Sequence, residues 1–129
     1  MVKPVTRINV IPNLPEPLRR LQELALNLRW AWDHETFGLF RRLDRELWES
    51  SGHNPILMLG QISQEKLQKA CDDPAFMAQL QSVCESFDAY MSDKNTWYEA
   101  HYKKLKPPTI AYFSMEFGLH ETLPIYSGG

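Results

Sequence analysis

Acidic, imidazole and glycine residues gather near the carboxyl end of the sequence. Glu116, His120 and Glu121 share a short stretch with Gly118, and Ser127, Gly128 and Gly129 follow after Pro124. Open α/β sheets bind ligands at the carboxyl ends of their strands, so carboxylates just beyond a strand are well placed to orient a ligand or exchange a proton. Spacing alone favours a plainer reading, in which Glu116 and Glu121 are solvated loop residues. His120-Glu121 offers two donors to a metal and would need remote partners. Ser127-Gly128-Gly129 allows close approach of a phosphate, because glycine exposes backbone N–H donors; the same pair also fits an ordinary turn.

Other chemistries lack their residues. His34, His53, His101 and His120 are scattered, no two stand at i and i+4, and no cysteine or aspartate lies at ligand spacing, which argues against zinc. No glycine-rich loop precedes a Lys-Ser or Lys-Thr, and no nucleophile–base pair is visible. Cys71 and Cys84 are the only cysteines; they cannot build a disulfide framework and read as reduced thiols of a cytoplasmic protein. A net charge of −2 leaves no footprint for nucleic acid or an anionic membrane. The cluster Lys103, Lys104 and Lys106 reads as a solvated helix end beside the negative pole of its dipole. Neither a leader peptide nor a span for a bilayer is expected.

The elements that would position the carboxyl-terminal residues are mostly helical. After a loosely alternating Val5–Val10 arm and the prolines at 12, 15 and 17, Leu18, Leu21, Ala25, Leu28 and Trp32 recur at steps of three and four, one stripe of an amphipathic helix. Asp33 caps a second helix with Phe37, Phe40 and Leu43 inward, and Asp44 caps a third carrying Leu47 and Trp48 and ending at Gly52. His53-Asn54-Pro55 reads as a turn, and Ile56–Leu59 is too short to classify. Ser63 caps the next helix, with Ile62 and Leu67 placed as a hydrophobic staple. Asp73-Pro74 opens the cleanest one, with Phe76, Leu80, Val83, Phe87 and Tyr90 or Met91 on one face. Asp93-Lys94-Asn95 interrupts it, and Thr96–Leu105 continues helical until Pro107-Pro108.

Thr109–Ser114 then reads as a buried strand, rich in β-branched and aromatic residues. A buried strand needs neighbours for its backbone N–H and C=O groups, and the Val5–Val10 arm is a weak candidate. The expectation is a piece of a longer parent. Trp30, Trp32, Trp48 and Trp97, with Tyr90, Tyr98 and Tyr102, have the chemistry of sugar-stacking platforms; their helical spacing favours core packing instead.

The string from Ile110 through Tyr112-Phe113-Ser114-Met115-Glu116-Phe117-Gly118-Leu119-His120-Glu121, followed by Leu123-Pro124-Ile125-Tyr126-Ser127-Gly128-Gly129, closely resembles the start of the catalytic region of bacterial and archaeal α-glucan phosphorylases. Upstream, Leu14-Pro15-Glu16-Pro17-Leu18, the run from Leu24 to Trp32, Leu47-Trp48, His53-Asn54-Pro55 and Asp72–Phe76 are similar to the helical domain of unassigned function that precedes it. Arg29 departs from that pattern, which places an aromatic residue between Leu28 and Trp30.

The resemblance implies a mainly α chain: a helical bundle-like domain over 1–107, then over 108–129 one β-strand and the start of the glycine-rich loop that would open a Rossmann-like α/β catalytic domain. It implies a parent that uses phosphate to release glucose 1-phosphate from α-1,4-glucans with pyridoxal phosphate as cofactor. Gly128 and Gly129 then lie beside the cofactor and substrate phosphates, and Glu116, His120 and Glu121 near the site. The Schiff-base lysine of such enzymes has no counterpart among the motifs here, so no complete catalytic set, no bound cofactor and no activity are expected of this chain alone. Partners implied are α-glucan and phosphate for the parent, and for this chain the catalytic domain or a second copy paired through the terminal strand. Two further readings stay open: a stand-alone helical interaction or glucan-binding module, and a truncated product without a function.

Overall fold

A computed structural model describes residues 12–102, 110–114, 118 and 120. Seven α-helices occur among them: α1 Arg20–Leu26, α2 His34–Leu43, α3 Arg45–Ser50, α4 Pro55–Leu59, α5 Gln64–Asp72, α6 Pro74–Ser92 and α7 Trp97–Tyr102. Two 3₁₀ turns, Glu16–Leu18 and Leu28–Ala31, bracket α1. The long α6 packs on α1, α2 and α5, while α2 also contacts α3 and α5, and α4 closes the unit against α1 and α3. No strand occurs among the described residues.

Most helix starts follow directly from side-chain caps. Asp33 accepts from Thr36 N–H, Asp44 from Leu47, Ser63 from Lys66, and Asp73 from both Ala75 and Phe76. Each satisfies an orphan backbone donor of the first turn, worth about 1 kcal/mol. Ile62 and Leu67, the staple residues, are both buried. Asn54 is a further cap, accepting from Ile56 and Leu57 ahead of Pro55 in the first turn. The segment expected as a turn and an unclassified run is thus a short helix.

The core joins Leu18, Leu21 and Leu24 of the amino-terminal segment, Leu39, Phe40 and Leu43 of α2, Trp48, Met58, Ile62, Leu67, and the stripe Phe76, Leu80, Val83 and Phe87 of α6. That α6 stripe matches the sequence expectation up to Phe87; Tyr90 and Met91 are exposed. A second correction concerns the first stripe. Asn27 leaves the helix at φ −99°, ψ 120°, and its side chain accepts from Arg29 N–H to start the 3₁₀ turn. The 3.6-residue register is lost there. Trp30 goes inside, Leu28 is half-buried, and Trp32 points out at 56% exposure, although a continuous stripe would have buried Leu28 and Trp32.

The expected carboxyl-terminal strand is not seen in the described residues 110–114. Residues 110–114 form no ladder among the described residues, and Ile110 and Phe113 are 87% and 92% exposed. Strand-forming side chains do not make a strand without a neighbouring chain to pair the backbone. The Val5–Val10 arm, Lys103, Lys104, Lys106 and the end of the expected Thr96–Leu105 helix lie outside the described residues.

Two carboxylates respond to α6. The Arg20 guanidinium donates to both oxygens of Asp88, at 3.2 and 2.6 Å, and holds that carboxyl below the usual range. Asp73 is held low chiefly by the Phe76 N–H it accepts, assisted by Ala75 N–H and Arg42. A depressed folded-state value means the folded chain releases the proton more readily than the unfolded chain. Their stabilisation is therefore complete above about pH 4 and is lost as pH falls through the lowered values. Urea unfolding followed into acid should show stability dropping below that pH, and Asp88→Asn should flatten the drop. The core makes a second prediction. Phe87→Ala should cost about 3–5 kcal/mol in the same assay, whereas Trp32→Ala, on the surface, should stay within about 0.5 kcal/mol.

Candidate functional site

The break at Asn27 sets up a place where, among the described residues, the helical unit meets a residue singled out for chemistry. With Trp30 turned inward, its indole stands edge-on to Trp48, ring centroids 6.0 Å apart. Trp48 is stacked on Phe40 at 5.9 Å and edge-on to Phe37 at 5.0 Å. On the other side of Trp30 lies His120, 4.6 Å between ring centroids at an interplanar angle of 66°. His120 is half-buried.

His53 completes the aromatic group from the far side of Trp48. It stacks on that indole at 5.3 Å and meets Phe37 edge-on at 5.7 Å. The turn that carries it is unusual: Gly52 and His53 follow each other at φ +64° and +60°. A left-handed conformation costs a residue with a Cβ roughly 1–2 kcal/mol. His53 N–H donates to Trp48 C=O at 3.0 Å, and its Nε2 lies 2.9 Å from Glu49. That contact draws the Glu49 carboxyl below its ordinary value. These contacts hold the strained turn in place.

Arg29, beside Trp30, turns to α6 instead. It donates to Ser86 Oγ at 3.0 Å, lies 5.1 Å from the centre of the Tyr90 ring, and pairs with Asp33 at 3.4 Å. An arginine in place of the expected aromatic thus exchanges an apolar contact for a polar tie between the 3₁₀ turn and α6.

Of the residues singled out from sequence, His120 alone falls among those described. Glu116, Glu121, Gly128 and Gly129 lie outside them. Among the described residues no three histidine, cysteine, aspartate or glutamate side chains gather as for a metal ion. Cys71 and Cys84 are free, and burial pushes both thiols up, away from reactive thiolate character. A groove of about 510 Å³ runs between α1 and α4, lined by Leu14, Ala25, Leu26, Ile56 and Leu59 with Arg19 at its rim. Among the described residues that line it there is no carboxylate, imidazole or thiol. Sequence reasoning passed over Trp30 and His53 as site neighbours; Asn27 was the signal that a new register begins before Trp30. No helix among the described residues is long and apolar enough to cross a membrane.

The helical unit and the segment after it match one family description over residues 14–123, a protein of unknown function designated DUF3417. The chain belongs to that family. The matched span includes Glu116, His120 and Glu121 and stops short of Gly128 and Gly129. Similarity also extends to named enzymes. Glycogen phosphorylase of Mycobacterium tuberculosis strain H37Rv is 38% identical over 133 residues, which cover 99% of this chain and 15% of that enzyme. Maltodextrin phosphorylase of Thermococcus litoralis is 36% identical over 125 residues, 96% of the chain and 15% of the enzyme. Glycogen phosphorylase of Aquifex aeolicus is 38% identical over 109 residues, 84% and 15% respectively. The chain therefore corresponds to the amino-terminal region of glycogen and maltodextrin phosphorylases and spans about 15% of their length. No solved structure matches it significantly.

The polar tie at Arg29 is open to direct measurement. Arg29→Ala should destabilise the chain by about 1–3 kcal/mol, since it removes a charge-assisted hydrogen bond from a mostly buried group. A double-mutant cycle with Tyr90→Ala should return a coupling of about 0.5–1 kcal/mol for the cation–ring contact.

Proposed function

We propose that this chain supplies the amino-terminal, non-catalytic segment of an α-glucan phosphorylase. In this reading residues 1–107 are the helical domain, and 108–129 begin the catalytic domain with its first strand and the start of the glycine-rich loop. The observation that carries the reading is 38% identity across 99% of the chain, confined to 15% of the relative's length. The reaction of the whole enzyme is the phosphorolysis of α-1,4-glucan to glucose 1-phosphate in the cytoplasm. Glu116, His120 and Glu121 lie near that site, and Gly128 and Gly129 lie beside the phosphates.

The described residues do not fit pyridoxal phosphate. A Schiff-base lysine needs a desolvated amine, whereas Lys66 pairs with Asp44 at 3.4 Å and Lys69 with Glu65 at 2.7 Å on the surface, and Lys94 is exposed. In this reading the cofactor, the lysine and most of the glucan pocket belong to the remainder of the parent enzyme.

An interaction role for the helical unit is favoured by a separate observation. Trp97 and Tyr98 of α7 are 66% and 50% exposed, and no residue of that helix is buried. This exposed aromatic surface suits a covering partner, either the catalytic domain or glucan.

Purified chain incubated with maltodextrin, phosphate and pyridoxal phosphate should yield no glucose 1-phosphate above a protein-free blank. Turnover by a preparation free of host phosphorylase would overturn the non-catalytic assignment. Co-sedimentation with glycogen that is lost on Trp97→Ala would move the reading to a glucan-binding module.

A further inference from the structure

We propose that α7 is the surface against which the remainder of an α-glucan phosphorylase packs, with Trp97 and Tyr98 as its aromatic anchors. This docking rests on the reading of the chain as the amino-terminal segment of such an enzyme, and it selects the catalytic domain over glucan as the covering partner. Eleven large hydrophobic side chains are exposed among the described residues, and seven of them fall from Tyr90 onward. Single exposed apolar residues are ordinary, whereas their concentration in one part of a chain marks a surface that another surface covers. The core draws on every helix from α1 to α6, and α7 contributes no buried residue to it.

The rings of α7 are arranged before any partner arrives. Trp97 stacks on His101 at 4.8 Å and meets Tyr102 edge-on at 5.5 Å, and Tyr98 stacks on Tyr102 at 5.5 Å. Each stacked pair stands at i and i+4, on one side of the helix, and the Trp97–Tyr102 contact joins the two pairs into one surface. Thr96 Oγ1 accepts from Glu99 N–H at 3.2 Å and closes the first turn. Rings held in place in this way lose little freedom on docking. Tryptophan and tyrosine are also the types that most often anchor an interface. Two observations select the occupant. Glycogen and maltodextrin phosphorylases align with this chain over only their amino-terminal 15%, so most of such an enzyme lies beyond it. α7 is the last described helix before residues 108–129, where in this reading the catalytic domain begins. A partner tethered through a short link docks at an effective concentration in about the millimolar range, so a small aromatic surface suffices. The exposed set also includes Met91 and Ile110, whose thioether and aliphatic surface suits an apolar protein neighbour better than the hydroxyls of a glucan.

The test exchanges this chain for the aligned region of the Mycobacterium tuberculosis glycogen phosphorylase and compares amide hydrogen exchange at Trp97–Tyr102 in the hybrid and in the 129-residue chain alone. Exchange there should be slower in the hybrid by about tenfold or more. Trp97→Ser combined with Tyr98→Ser should abolish that difference while leaving the unfolding midpoint of the isolated bundle unchanged. Equal exchange in hybrid and chain overturns the docking. So does slowing of exchange in the isolated chain by maltodextrin, which assigns α7 to glucan, or by raised chain concentration, which assigns it to a second copy. If the hybrid does not fold, the natural M. tuberculosis enzyme carries the same measurement at the residues aligned with Trp97–Tyr102, and fast exchange there overturns the docking. Glucose 1-phosphate formation by the hybrid is read separately. An active hybrid with fast exchange at α7 sinks the docking alone, and a folded, inactive hybrid with slow exchange sinks the phosphorylase reading.

Discussion

Burial of the Trp48 indole is the interaction on which the rest of the helical unit depends. It is fully enclosed and touches four rings from three places in the chain: Trp30 of the 3₁₀ turn, Phe37 and Phe40 of α2, and His53 of the turn after α3. Aromatic pairs contribute about 0.5–1.5 kcal/mol each beyond the area they bury. The ring also gives something up. Its Nε1–H has no hydrogen-bond acceptor among the described residues, a loss of about 1–3 kcal/mol. The site tolerates that loss because so much apolar surface converges on the same group. The left-handed His53 is tolerated for the same reason: its ring stacks on this indole.

Around this centre the helices are too short to stand alone. Apart from α6, every one has ten residues or fewer, below the length at which an isolated helix persists in water. Their existence therefore rests on capping and on the shared core. Caps are readable because they are local: Asp33, Asp44, Ser63 and Asp73 each precede an apolar rhythm, and in each case the side chain closes the first turn as its type predicts. Asn54 carries the same chemistry, but the run after it was too brief to show a period.

The misreading of the first stripe has a local cause. The stripe from Leu18 to Trp32 keeps steps of three and four across Asn27, so periodicity alone cannot reveal that the backbone leaves the helix there. The cap of Asn27 on Arg29 then wins over the stripe, and Trp30 replaces Trp32 in the core. Ile110–Phe113 differs, because a strand there needs a neighbour that the described residues do not supply. Its residue types describe what a sheet would accept, and pairing is supplied by other chain, so propensity was informative about the residues and silent about this chain's own backbone. The carboxyl-terminal glycines and glutamates became site candidates through likeness to phosphorylases. The meeting of His120 with Trp30 had no local signature at all, since it depends on how the bundle folds back.

Charge usage inside the bundle separates scaffold from chemistry. Asp33, Asp44 and Asp73 serve as caps, Asp88 receives Arg20, and Glu49 receives His53. The shifts resolved for these carboxylates run downward, at Glu49, Asp73 and Asp88. A general acid for reaction at neutral pH needs the opposite, a carboxyl raised toward the working pH. Three arginines meanwhile tie other elements to α6 along its length: Arg20 to Asp88, Arg29 to Ser86 and Tyr90, and Arg42 to Asp73 and Gln79. Exposed pairs of this kind add little energy, but a smooth apolar stripe would let α6 slide or rotate, and donors at three heights fix its register. The polar groups of the bundle are thus committed to holding a shape.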